Sequence, residues 1–185
     1  MGLAFLLNFT AFNAVQQLNT QIFNQEGHPN TAFVSLITLY VVYSFANFTA
    51  PLVLESLGIK AGLALSSVGY LLFSIVCGIY IFCLPDGEEC FAHASESLFL
   101  LVMITSGVCG VCASLIWIAS SQYTATIAPE PLRPFYFGVF FAILLSNQGI
   151  GNLISGYALS RLSHAQFYAL MVTIGTLSVV GFSEM

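Results

Sequence analysis

The chain has 185 residues, 58% of them hydrophobic and only 6% charged, where an ordinary soluble domain carries about 25% charged residues. Side chains so poor in ions cannot cover a water-facing surface, and a formal net charge of -5, from three basic and eight acidic residues, excludes the cationic track that nucleic acid requires. The remaining solvent is lipid, where every backbone amide must be satisfied internally and long apolar runs become helices.

Polar and Pro/Gly clusters cut the chain into six apolar stretches, 3–22, 31–54, 61–83, 98–124, 135–159 and 167–182. All but the last reach the ~20 residues that cross a ~30 Å hydrocarbon core at 1.5 Å per residue. The expected fold is therefore an all-α membrane protein, a bundle of six transmembrane helices in one domain. The short sixth stretch predicts a chain truncated in or just after its last span.

The first stretch lacks a basic n-region and a small-residue cleavage site, which makes it a span rather than a leader. Its Asn13, Gln16, Gln17 and Thr20 recur at spacings of three and four and share one helical face. The second carries Tyr40, Tyr43, Ser44 and Asn47 and leads to Pro51, where a kink is expected. The third offers small residues at Gly62, Ser66, Ser74 and Gly78. The fourth repeats Ser106, Gly110 and Ser114 and continues into Trp117, Ser121 and Thr124. The fifth has a ridge at Gly138, Ala142 and Ser146 and a polar side of Asn147, Gln148, Gly151 and Ser155. Small residues at four-residue spacing let helix backbones approach closely, the main source of association in lipid. Three such ridges predict a tight bundle.

Polar groups inside a span are costly and turn toward the bundle interior or a watery cavity. Four helices bringing amides and hydroxyls inward fit either a pathway or pocket for an uncharged solute, or plain interhelical hydrogen bonding, worth about 0.6 kcal/mol per contact. No ionisable Asp, Glu, Lys, Arg or His falls mid-span, which weighs against a proton relay.

The histidines, His28, His93 and His164, sit in loops without metal-ligand spacing, so no metal and no cofactor is expected. Cys109 and Cys112 form a CxxC inside an apolar helix, where packing is the better role. Cys83 and Cys90 bracket a short loop at the start of the acidic segment 84–97 and would pair only if it faced an oxidising compartment. Two Asn-Phe-Thr triplets, at Asn8 and Asn47, lie within spans and are discarded as glycosylation acceptors. An enzyme is left without candidate residues. Lys60 and Arg133 fall in the second and fourth loops and Arg161 in the fifth, which predicts a cytoplasmic N-terminus by two to one.

Four stretches carry a family resemblance. The first span reads Asn8-Phe9-Thr10-Ala11-Phe12-Asn13, with Gln16 and Leu18 following; the second has Tyr40, Tyr43-Ser44-Phe45, Asn47 and Ala50-Pro51. The fourth has Gly110, Ala113, Trp117, Ala119 and Tyr123, and the fifth Gly138, Phe140, Ala142 and Gly151-Asn152. Together with the six helices they resemble the N-terminal half of a major facilitator superfamily protein, and within it the uncoordinated-93-like family of ion channel regulatory proteins. Ser120 and Leu145 stand where that family commonly has Gln, so no ligand role is carried over to them.

The superfamily's acidic and basic turn between its second and third helices survives as Glu55-Ser56-Leu57-Gly58-Ile59-Lys60. The resemblance implies a latch at Glu55, Gly58 and Lys60. It also implies transport of a small solute or ion, or a non-transporting accessory role toward a membrane channel or receptor. The partners implied are the bilayer and either a C-terminal six-helix half or such a channel or receptor. Residues expected to line a pathway are Asn13, Gln16, Gln17, Tyr40, Tyr43, Asn47, Trp117, Ser121, Asn147, Gln148 and Asn152.

Overall fold

The computed structural model describes residues 1–25, 29–83 and 94–184. Within them the chain forms seven α-helices: α1 Gly2–Gln25, α2 Pro29–Ala46, α3 Ala50–Leu57, α4 Ile59–Cys83, α5 Ala94–Ile127, α6 Arg133–Arg161 and α7 His164–Ser183, with a 3-10 turn at Glu130–Leu132. The residues 84–93 of the acidic loop, with Cys90 and His93, lie outside the described residues, as does His28; the proposed Cys83–Cys90 pairing lies there too.

Among the described residues, four helices, α4 to α7, are long and apolar enough to cross a membrane, and the bent pair α2–α3 makes a fifth such segment when it is counted as one broken span. α1 has the length, but its amides lower its apolar content. They are accommodated because α1 runs through the middle of the bundle, packed on α2, α4, α6 and α7. Its buried residues, among them Phe5, Asn8, Phe9, Ala11, Ala14 and Val15, cover more than half of its circumference, while Gln17, Thr20 and Gln21 are exposed on the remaining side.

α6 is the opposite case. Phe140, Leu144, Asn147 and Gly151 form its one buried stripe, at spacings of four, three and four, and that stripe faces α1. Only 22% of its most apolar window is buried, against 61% for α4.

The small-residue ridges divide accordingly. On α4 and α5, Ser66, Ser74, Ser106 and Ser114 are all buried. Each closes its hydroxyl onto a carbonyl of the preceding turn, at 2.6–3.1 Å, so it costs the interior no unpaired donor. At Gly110 the backbones of α5 and α2 approach so closely that a Cβ would lie 2.5 Å from the Leu39 carbonyl oxygen. The expected ridge on α6, in contrast, does not pack: Gly138 faces open space, and Ala142 and Ser146 are exposed. Periodicity reveals a face but not which face is turned inward. On α6 the larger residues Phe140 and Leu144 took the inner stripe.

The expected kink in the second span falls before Pro51 rather than at it. α2 ends at Ala46, three residues intervene, and α3 leaves at 72° to it. Proline fits the first turn of the new helix, where its missing N–H is no loss. The freed carbonyls of α2 are met locally: Asn47 Nδ2 donates to the Tyr43 oxygen at 2.8 Å and Thr49 Oγ1 to the Ala46 oxygen at 3.2 Å. α7 also starts earlier than its apolar stretch, at His164. Ser163 and Gln166 form a reciprocal capping box there, at 3.3 and 3.1 Å, which extends the helix across residues read as loop.

Numbering the segments one to six, with α2–α3 as the second, the first packs on the fifth and sixth, the fourth on the second and third, and the third on the sixth. Exchanging one with four, two with five and three with six maps these five pairings onto themselves. The most extensive packings thus repeat between two three-helix units, whereas the contacts of the third segment with the first and second have no counterpart.

Candidate functional site

The central position of α1 and its contact with α6 bring amides face to face. Asn13 donates to Asn147, and one turn further along Gln17 donates to Asn152. Asn147 in addition bonds the Leu144 carbonyl of its own helix. Two interhelical amide bonds add only about 1 kcal/mol in a membrane. Their consequence is register, since a slip of either helix would strand Asn13 and Asn147 among apolar groups.

Beside Asn13 and Asn147 lies a cavity of about 330 Å³, the lower end of the size range for small-molecule sites. Phe9, Phe12 and Tyr70, all buried, form its floor, with Leu39, Tyr43, Ala113, Trp117 and Leu144 as walls. Tyr40 on α2 and Leu145 and Gln148 on α6 are exposed and form its mouth. The wall on α2 is held by the Gly110 contact, because Leu39 and Tyr43 are the residues whose backbone α5 touches. Among the described residues, no Asp, Glu, Lys, Arg or His lines the space.

Of the eleven residues expected to line a pathway, six meet here: Asn13, Tyr40, Tyr43, Trp117, Asn147 and Gln148. Gln17 and Asn152 bond each other along the α1–α6 seam instead. Gln16 is half-buried on α1, and its carbonyl accepts from Thr20 at 3.1 Å. Asn47 caps α2 at the break, and Ser121 is exposed with its hydroxyl on the Trp117 carbonyl at 3.0 Å.

Ser120, its neighbour, is buried and bonds the same carbonyl at 2.9 Å. Sequence reasoning missed Tyr70, on a helix read only for its small residues. A phenol in mid-span needs a polar neighbour or a cavity for its hydroxyl, and that was the available signal.

The turn between α3 and α4 holds the other expected group. Glu55 and Lys60 are exposed, and among the described residues no ion pair joins them. Gly58 ends α3 at φ 80°, ψ 155°, its N–H on the Leu54 oxygen at 2.8 Å. That conformation is essentially open to glycine alone. The described cysteines, Cys77, Cys109 and Cys112, are buried and free.

Long apolar helices around a polar and aromatic cavity define an integral, multi-pass, all-α membrane protein. Among known proteins, the chain is 29% identical over 165 residues to protein unc-93 homolog A of Homo sapiens and 29% identical over 165 residues to UNC93-like protein 3 of Arabidopsis thaliana, with 84% of this chain covered in each. It is 25% identical over 177 residues, 90% of the chain, to a Caenorhabditis elegans unc-93 whose name contains the words potassium channel regulatory protein. The resemblance to the uncoordinated-93-like family thus extends over most of the chain. The chain spans 32% and 31% of the length of the first two relatives and 22% of the third. No family model matches the chain, and no solved structure does.

Proposed function

We propose that the chain makes six membrane crossings, α1 being the first, as one half of a major-facilitator-type protein that moves a small solute or ion through the cavity between α1, α2, α4, α5 and α6. The observation that carries this reading is the convergence of Asn13, Asn147 and Gln148 on a cavity that, among the described residues, no charged group lines. The shared neighbours of the two three-helix units support it, since nested three-plus-three repeats build each half of a major facilitator. A C-terminal six-helix half would close the mouth between α2 and α6. Lys60 and Arg133, against Arg161 alone on the other side, favour a cytoplasmic N-terminus, with Glu55, Gly58 and Lys60 in the latch position of the second-to-third turn.

A second reading has one specific support, the name of the Caenorhabditis elegans relative: a non-transporting subunit that controls a channel in the same membrane. Reconstitution in liposomes, with flux of K⁺ and small neutral solutes measured, separates them. Flux that Asn13→Ala and Asn147→Ala abolish supports transport. Silence, together with co-purification of a channel, supports the regulator and contradicts the transporter.

A further inference from the structure

Six of the thirteen residues lining the cavity are aromatic, Phe9, Phe12, Tyr40, Tyr43, Tyr70 and Trp117, against 14% of the chain. Rings are therefore concentrated there more than threefold, and hydrophobic composition alone does not account for it. Four of them form a continuous wall across three helices. The Phe12 and Tyr70 centroids lie 5.0 Å apart, edge to face; Tyr70 is 5.4 Å from Phe9, and Phe9 is 5.5 Å from Trp117. Tyr40 and Tyr43 add the α2 side.

The faces of aromatic rings are negative, and a cation within about 6 Å of a ring centroid is attracted to them. An anion would meet those faces with no Lys, Arg or His to balance them. A primary ammonium or a small metal ion is strongly hydrated, and this cavity has no carboxylate to replace the lost water. A cation whose charge is spread under methyl groups gives up water at lower cost than these and fills an apolar space. The amide groups at one side would then take up a hydroxyl or carbonyl on the same molecule. At about 30 Å³ per water the cavity holds about ten waters, enough for a head group of this kind.

We propose that the cavity binds a small organic cation of the quaternary ammonium class, held on the ring faces of Phe9, Tyr43, Tyr70 and Trp117. The proposal rests on the cavity being a ligand site, as in the proposed function. Trp117 is the only tryptophan in the chain, so its emission reports occupancy directly.

The test titrates the protein in nanodiscs with choline and with dimethylbutanol, its uncharged carbon isostere, at constant ionic strength. Choline is expected to change Trp117 emission saturably and to bind about tenfold or more tighter than the isostere. Tyr43→Leu should weaken choline by about tenfold, while Tyr43→Phe, which keeps the ring, should hold it near wild type. Equal affinity for the two compounds would overturn the cation while leaving a ligand site. No saturable response to either, in protein with intact helical circular dichroism, would overturn both.

Discussion

Gly110 is where a single atom decides the site. A Cβ there would lie 2.5 Å from the Leu39 oxygen and 3.0 Å from the Tyr43 nitrogen. Both are backbone atoms, which cannot rotate away, so α2 as a whole would have to move. Gly110→Ala should cost about 1–3 kcal/mol, the usual range for overpacking, and should displace Leu39 and Tyr43 from the cavity wall. Thermal unfolding in detergent measures the first effect and Trp117 emission the second. Gly58 depends on its dihedral angles instead. Nothing stands within 4 Å of a Cβ there, yet φ is 80°, so Gly58→Ala should cost about 1–3 kcal/mol through backbone strain alone. Gly138→Ala, in open space and within a helix, should be neutral or slightly stabilising in the same unfolding assay.

At the scale of elements, the break between α2 and α3 separates a structural amide from the cavity amides. Asn47 bonds the last turn of α2, whereas Asn147 faces Asn13 beside the cavity. Asn47→Ala should therefore lower stability by about 0.5–1.5 kcal/mol and leave ligand affinity at Trp117 near wild type. Asn147→Ala should lower that affinity. Equal loss of affinity in the two variants would place Asn47 in the pathway after all.

Both residues are asparagines within apolar stretches, and sequence spacing treats them alike. What distinguishes them is that α2 stops at Ala46, and stopping is set by local capping from Asn47 and Thr49. Propensity reads such residues only as polar. The small-residue ridges show the same limit. Those of α4 and α5 were legible and pack, and that of α6 was equally legible and faces outward, because nothing in a four-residue period states which neighbour is present.

For the molecule as a whole, long uncharged stretches made the helices readable, since lipid leaves the backbone no alternative. Of the six expected pathway residues that reach one cavity, Asn13 and Asn147 do so because amides in lipid seek one another, and α1, the most polar helix, is driven to the centre. The cavity itself was not legible. Phe9 and Phe12 stood out only within the first-span resemblance and Tyr70 not at all, and only the three-dimensional meeting of α1, α4 and α5 turns them into its floor.

The account depends on α1 lying against the Asn147 and Gly151 stripe of α6. A Cβ at Gly151 would sit 3.6 Å from that of Asn13, within the 3.5–4.5 Å range of a disulfide. In a chain freed of its own cysteines, with a protease site introduced between residues 84 and 93, Asn13→Cys with Gly151→Cys should cross-link on oxidation in membranes and keep the two fragments joined. Asn13→Cys with Gly138→Cys should not. Joining of the second pair, or separation of the first in a membrane-inserted protein, would contradict the bundle and the cavity with it.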